Sequence, residues 1–229
     1  MPIYVKLIAA TPEADKVVAA AAKICYSPSG AAQILEGLDP ARTASFLKML
    51  REAGHLSPFE HASFTFAVEG LSRVATHQLV RHRLASYSQQ SQRYVEMTGN
   101  SCIVPPSVAR SEEALAFFSA QAEAAHECYT KLVALGIPRE DARFILPHGA
   151  ETRLVATMNA RELHHFFALR LCRRAQWEIR ETAKEMLKAV RAAAPQLFDS
   201  AGPSCVVAGR CAEAHPCGEP YRDMEQLLS

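Results

Sequence analysis

The chain has almost no net charge: 25 Lys and Arg stand against 24 Asp and Glu over 229 residues, leaving +1. A protein that coats nucleic acid needs a cation surplus to displace counterions from phosphate. That class is not expected, and local anion sites stay open. No apolar run approaches the roughly 20 residues of a membrane span, and Met1-Pro-Ile-Tyr-Val-Lys lacks a signal-peptide pattern. Neither a nucleic-acid nor a membrane partner is expected. Repeats and low-complexity tracts are missing too. The seven cysteines, at 25, 102, 128, 172, 205, 211 and 217, form an odd set that cannot all pair. Without a secretory leader they are expected to be reduced thiols in a cytoplasm. The remainder, 49% hydrophobic and 21% charged, is ordinary globular composition with enough chain to bury a core.

Within these limits the patterning is informative. Residues 3–9 are β-branched and apolar and read as a strand. Residues 61–68 alternate, with Ala62, Phe64, Phe66 and Val68 on one side and Ser63 and Thr65 on the other, as in a half-buried strand. Residues 13–24 and 41–53 read as helices, the second closed by Gly54. After Gly70 the period becomes helical, with Leu71, Val74, Ala75, Gln78 and Leu79 on one face leading into Arg81. Ser111 suits the cap of a helix through Leu135, ended by Gly136; Pro138 suits the first turn of a short helix carrying Arg139 and Arg143. Residues 152–158 read as a strand. Asn159 and Glu162 have capping-box spacing and open a helix. Residues 175–194 are amphipathic, with Ile179, Ala183, Met186, Leu187 and Val190 on one face. Beyond Pro195 the chain turns Gly-, Pro- and Cys-rich and reads as irregular.

The densest chemistry lies in residues 81–93, Arg-His-Arg-Leu-Ala-Ser-Tyr-Ser-Gln-Gln-Ser-Gln-Arg. Arg81, His82 and Arg83 at one end, with Ser91 and Arg93 at the other, read as a polar loop fenced by fixed positive charge. A guanidinium offers a five-donor fork and serine a short hydrogen bond, which suits phosphate or a planar anionic ring. A solvated basic loop has the same composition. On the helix after Asn159, a step of about 100° puts Leu163, Phe166, Phe167, Arg170 and Leu171 in one stripe, with Arg161 and His165 turned away. A guanidinium in an apolar face requires a partner: a core carboxylate, water at the core's edge, or a ligand. His55, Ser57, Glu60 and His61 gather ahead of the alternating strand without established metal-ligand spacing. Cys205, Cys211 and Cys217 recur every six residues near His215. Their five-residue gaps exceed the usual zinc pattern, so free, partly buried thiols are the expectation, and no metal is expected.

Together these segments resemble the flavin-dependent thymidylate synthases. Arg81-His-Arg followed by seven residues and Ser91 is similar to that family's signature. The likeness extends to Gly54-His-x-Ser-Pro-Phe-Glu-His61, Phe64-Thr-Phe, Gln78, Arg139-Glu-x-Ala-Arg143 with Leu146-Pro147, Asn159-Ala-Arg161, and Arg170 followed by Ala175-Gln-Trp-Glu-Ile179. It implies an α+β fold, long helices packed on a mainly antiparallel sheet, in a single domain that assembles as a homotetramer. Residues 1–197 would form the catalytic domain, and 198–229 a Cys/Gly/Pro-rich tail with no assigned role. The implied reaction makes dTMP from dUMP, with 5,10-methylenetetrahydrofolate as carbon donor and NADPH as reductant through FAD.

Residue by residue, the resemblance implies that Gln78, Leu79, Val80, Arg81, Gln89, Gln90, Ser91, Gln92, Arg93, Arg143 and Arg170 hold dUMP. It implies that Ser57, Arg81, His82, Arg83, Gln89, Asn159, Ala160, Arg161 and His165 hold FAD, with His55 and Glu60 near the flavin and folate. Arg170 would be the catalytic residue, stabilising negative charge as the uracil N3 imide ionises. No covalent enzyme nucleophile is implied, and Ser91, which has no adjacent base in sequence, reads as a ligand contact. Two positions depart from the pattern: Gln89 stands where many members carry glutamate, and Arg174 where some carry histidine. Two other readings remain. One is a flavin- and folate-dependent uridylate C5-hydroxymethylase. The other is a nucleotide-sensing or RNA-binding protein, against which the low net charge and the sparse aromatics (Tyr87 and Tyr94) argue.

Overall fold

The computed structural model describes residues 3–99 and 101–229; Met1, Pro2 and Asn100 of the expected catalytic segment lie outside the described residues. Its frame is one four-stranded antiparallel sheet in the order β1-β2-β4-β3, with β1 (Tyr4–Ala10), β2 (Ser63–Ser72), β3 (Ala85–Gln89) and β4 (Glu151–Asn159). Alternation assigns its faces. Phe64, Phe66 and Val68 lie opposite Met158, Ala156 and Leu154, and all six are buried. A one-residue slip would turn this row to solvent, so burial pins the register. Farther along β2 the register shifts between Val68 and Leu71, where Gly70 takes φ 74°. Such a glycine-supplied bulge lets the strand continue to Ser72 with Leu71 still buried. The helical period expected from residue 71 therefore begins only at Arg73.

Helices cover the phenylalanine face. After β1 come α1 (Ala14–Lys23), α2 (Ala31–Glu36) and α3 (Pro40–Glu52). The Asp39 side chain caps α3 by accepting the Arg42 N–H. α4 (Arg73–Leu79) joins β2 to β3. Then follow α5 (Pro106–Ala109), α6 (Glu112–Ala134) capped by Ser111, and α7 (Arg139–Ala142), with Pro138 at its cap rather than inside its first turn. α8 (Ala160–Arg170) and α9 (Trp177–Ala193) pack against the strands. The expected face of α9 is buried. Its Glu178, also buried, accepts from the Ser72 N–H and, at 2.6 Å, from the Ser72 hydroxyl, tying α9 to the β2–α4 joint.

The stretch beyond Pro195 is not simply irregular. It forms α10 (Pro195–Phe198), α11 (Ser204–Val207) and α12 (Met224–Leu228), and sends Leu197, Phe198, Ala201, Tyr221 and Leu227 into the same core. These apolar residues are too scattered to make a periodic run, which is why patterning missed them. Among the described residues no helix is long and apolar enough to cross a membrane.

Candidate active site

Residues 81–93 do not form the single loop that their polarity implied. Their centre is β3, hydrogen-bonded to β4 from Ala85 opposite Met158 to Gln89 opposite Leu154. At about 3.3 Å per residue the strand holds its basic ends roughly 13 Å apart. Arg81–Arg83 and Ser91–Arg93 thus belong to two separate constellations.

The first faces α8 across a cleft of about 1030 Å³, lined among others by Leu56, Arg81, Arg83, Leu84, Arg161 and Arg170. The turn entering β3 is fastened by the Tyr87 hydroxyl, 2.9 Å from both the Leu79 and His82 carbonyls. Burial raises the Tyr87 pKa, so it remains a donor. Arg81 and Arg83 are exposed, without side-chain partners among the described residues. The Asn159 side chain accepts the Glu162 N–H at 2.9 Å, but Glu162 does not return the bond as a capping box would. Its buried carboxylate lies instead 3.0 Å from His82 Nδ1, while Arg170 Nε donates to His82 Nε2 at 3.0 Å. With Nε2 accepting, the ring proton sits on Nδ1 and is donated to Glu162. Burial pulls the His82 pKa down, partly opposed by the Glu162 bond and reinforced by Arg170.

Arg170 therefore finds no core carboxylate. Its Nη2 makes a long 3.4 Å bond to the Gln78 carbonyl, and no Asp or Glu oxygen lies within 4.0 Å of it among the described residues. Around the cleft, Arg161 pairs with Glu60, and His165 is exposed with its ring centroid 5.6 Å from that of His82. His55 and Ser57 are exposed on the approach to β2. Ala160 is buried at the start of α8, with its N–H given to the Ala62 carbonyl. Glu162, His82 and His165 present ligand atoms within 4.8 Å of one another. A cation there would have to break the Arg170–His82 bond amid four guanidiniums, so the site's charge favours an anion.

The second constellation sits at the other end of β3. The Gln89 amide donates inward to Thr76 at 3.3 Å and Thr152 at 3.1 Å. Arg73 donates to the Gln90 carbonyl at 3.2 Å, but its buried Nε has no partner among the described residues, nor does the Nε2 of buried Gln92. Burial and the nearby Arg143 charge both lower the Arg73 pKa. Ser91 Oγ accepts from the Arg93 N–H at 3.2 Å, and Arg93 pairs with Glu140 at 2.7 Å. Of the remaining expected contacts, Leu79 is buried and Val80 is 43% exposed.

Sequence reasoning missed Arg73 and Glu162. Arg73 is the first helical residue after a strand buried to its end, a position that forces its stem inward. Glu162 was legible only as a capping residue. The structure joins Arg81, His82, Arg83, Arg161, His165 and Arg170 in one cleft, and sets Gln89 to Arg93 with Arg143 apart from it.

The family model described as Thymidylate synthase complementing protein (Thy1) matches residues 6–196. A flavin-dependent thymidylate synthase of Geobacter sulfurreducens is 49% identical, over 94% of this chain and 94% of its own. One from Clostridium tetani is 47% identical, over 96% of this chain and 94% of its own. Among solved structures, the UMP/dUMP methylase PolB from Streptomyces cacaoi bound with 5-Br dUMP superposes with a TM-score of 0.78 at 29% identity, over 86% of this chain and 93% of that chain.

Proposed function

The chain belongs to the thymidylate synthase complementing protein family, alongside flavin-dependent thymidylate synthases, and from that membership we propose that it converts dUMP to dTMP with FAD, NADPH and 5,10-methylenetetrahydrofolate. The residues of the first cleft fit a flavin dinucleotide. Arg81 and Arg83 offer uncommitted guanidiniums for a diphosphate, and Leu56, Leu84 and Leu169 offer apolar surface for a ring system. Bound FAD supplies the redox chemistry that turns the transferred carbon into a methyl group.

The observation that carries the reading is the state of Arg170. It is half-buried, lines the cleft, lacks a carboxylate, and is held through Nε by a histidine that Glu162 fixes in one tautomer. Its Nη1 has no partner among the described residues. A preorganised cation of this kind stabilises negative charge on uracil as N3 gives up its proton, lending C5 the electron density that carbon–carbon bond formation needs. In a site shielded from water the contribution is on the order of a few kcal/mol. His82 acts on this step only while neutral. Once protonated, its Nε2 carries hydrogen and can no longer accept from Arg170.

Arg73, Gln92 and Arg143, with their uncommitted donors, suit the nucleotide phosphate. They stand at the opposite end of β3 from Arg170, and we take the nucleotide to reach both groups across two copies, in keeping with a homotetramer. The test is turnover: purified protein given dUMP, methylenetetrahydrofolate and NADPH is expected to release dTMP, faster with FAD added. Release of 5-hydroxymethyl-dUMP instead would establish the hydroxymethylase reading, and no product of either kind would reject both.

A further inference from the structure

Four of the seven cysteines converge. Cys172, two residues after α8, and Cys205, Cys211 and Cys217 line one cavity of about 20 Å³ together with Arg173 and Tyr221. That volume accommodates one small occupant. All four thiols are free, and only Cys211 is fully exposed. Residues 208–223 form no helix or strand and place only Tyr221 in the core. Gly209 and Gly218 take φ 66° and 82°, tight turns that return the chain toward the cavity on either side of Cys211 and Cys217. Besides Tyr221, the segment is held by the Arg174–Glu213 pair and by the Ala212 N–H bond to the Ser204 hydroxyl, and a cross-link would fix its path further.

Arg173 supplies an independent observation. Its guanidinium stacks 4.2 Å from the Tyr221 ring centroid, and its buried Nε has no hydrogen-bond partner among the described residues. A buried N–H without an acceptor, pressed against a cavity lined by sulfur, calls for negative charge there. Four thiolates around a divalent ion leave two net negative charges, and an N–H donor to the sulfurs is what such a centre takes from its surroundings.

We propose that Cys172, Cys205, Cys211 and Cys217 bind one structural zinc ion, with Arg173 balancing the thiolate charge. On binding, four S–H protons pass to solvent and four Zn–S bonds of about 2.3 Å form, with nothing oxidised. Among the described residues no three of these sulfurs lie within 4.8 Å of one another, against roughly 3.8 Å along the edge of such a tetrahedron. Binding therefore moves at least two of the four side chains inward, the exposed Cys211 among them. Four ligands from the protein close the shell, as in a structural rather than a catalytic site. Because Cys172 follows Arg170 by two residues, the ion also anchors the chain where the active-site arginine ends α8.

The experiment measures metal, not turnover, so its outcome is independent of the proposed function. The full chain, expressed with zinc supplementation and purified with reductant but no chelator, is analysed by elemental mass spectrometry. One zinc per chain is expected, released when the thiols are capped. Cys211→Ser and Cys217→Ser should each lose most of it, while Cys128→Ser, on α6, keeps it. Should the serine variants prove insoluble, the zinc content of the unaltered chain decides. Zinc-free protein overturns the proposal, whether its seven thiols titrate freely or some of the four are paired as disulfides. So does brown protein carrying iron and sulfide, or zinc retained in the Cys211→Ser/Cys217→Ser double variant.

Discussion

At the scale of single residues, the Glu162–His82–Arg170 chain makes the sharpest demands. Arg170→Ala is expected to lower kcat about 10²–10³-fold, the range for losing a preorganised charge donor, while bound flavin absorbance persists. Glu162→Gln can still accept from His82 Nδ1 through its amide oxygen but removes the negative charge. At present that carboxylate opposes the fall in the His82 pKa, so its loss lowers the pKa further. The acid limb of kcat should accordingly move to lower pH, with little change at pH 8 where His82 is neutral either way. A kcat–pH profile unmoved by this substitution would refute the link. His164 makes a different demand. Packed between Phe59 and Phe198 and bonded to the Leu197 carbonyl, it is pushed down to about 4 by burial. A depressed histidine favours folding above its ordinary pKa and loses that contribution as pH falls from about 6.5 toward 4. Urea unfolding at pH 5 should show about 2 kcal/mol less stability than at pH 8 from this group, and His164→Phe should flatten the difference.

At the scale of elements, the joint between β2 and α4 positions Arg73 and Gln78, and Glu178 of α9 ties it down through two bonds to Ser72. Glu178→Ala would strand the buried Ser72 N–H and remove the partner of its hydroxyl, a loss of about 2–4 kcal/mol. Ser72→Ala should lose less, about 1–2 kcal/mol, since the backbone bond to Glu178 survives while the helix cap and the hydroxyl donated to the Glu178 carboxylate are gone. Urea midpoints of the two variants distinguish these. The same joint shows what sequence could and could not convey. The Phe64–Phe66–Val68 alternation and the apolar stripe of α9 declared themselves because burial of one face imposes a period on the chain. β3 did not, because in the edge strand Ala-Ser-Tyr-Ser-Gln only Ala85 and Tyr87 turn inward, an alternation too short and too weakly apolar to stand out. Strand continuation past Gly70 was equally hidden, since a bulge breaks the period it interrupts. The identities of Arg81, His82, Arg83, Arg161 and Arg170 were legible; their grouping into one cleft apart from Ser91 to Arg93 depended on β3 and was not.

At the scale of the whole molecule, the separation of the two constellations carries a consequence for assembly. Beside them the surface keeps large apolar groups exposed: Leu84 at 69%, Tyr94 at 75% and Phe144 at 85%. A single copy leaves these side chains in water and, among the described residues, Arg73 Nε and Gln92 Nε2 without an acceptor, whereas a second copy laid along the β3 edge would cover the first and bring its own Arg170 toward the second. If each site draws Arg170 from one chain and Arg143 from another, two inactive variants should repair each other. Arg170→Ala and Arg143→Ala, unfolded together and refolded as a mixture, would then regain activity in those sites that receive both intact arginines, about one quarter of them for random pairing in equal proportion. Each variant refolded alone should stay inactive. If instead both arginines act from the same chain, no pairing of these two variants contains a complete site, and the mixture stays as inactive as its components. Activity restored toward a quarter of the unaltered level thus requires a site built across copies, and its absence in refolded, oligomeric protein would confine the reaction to one chain.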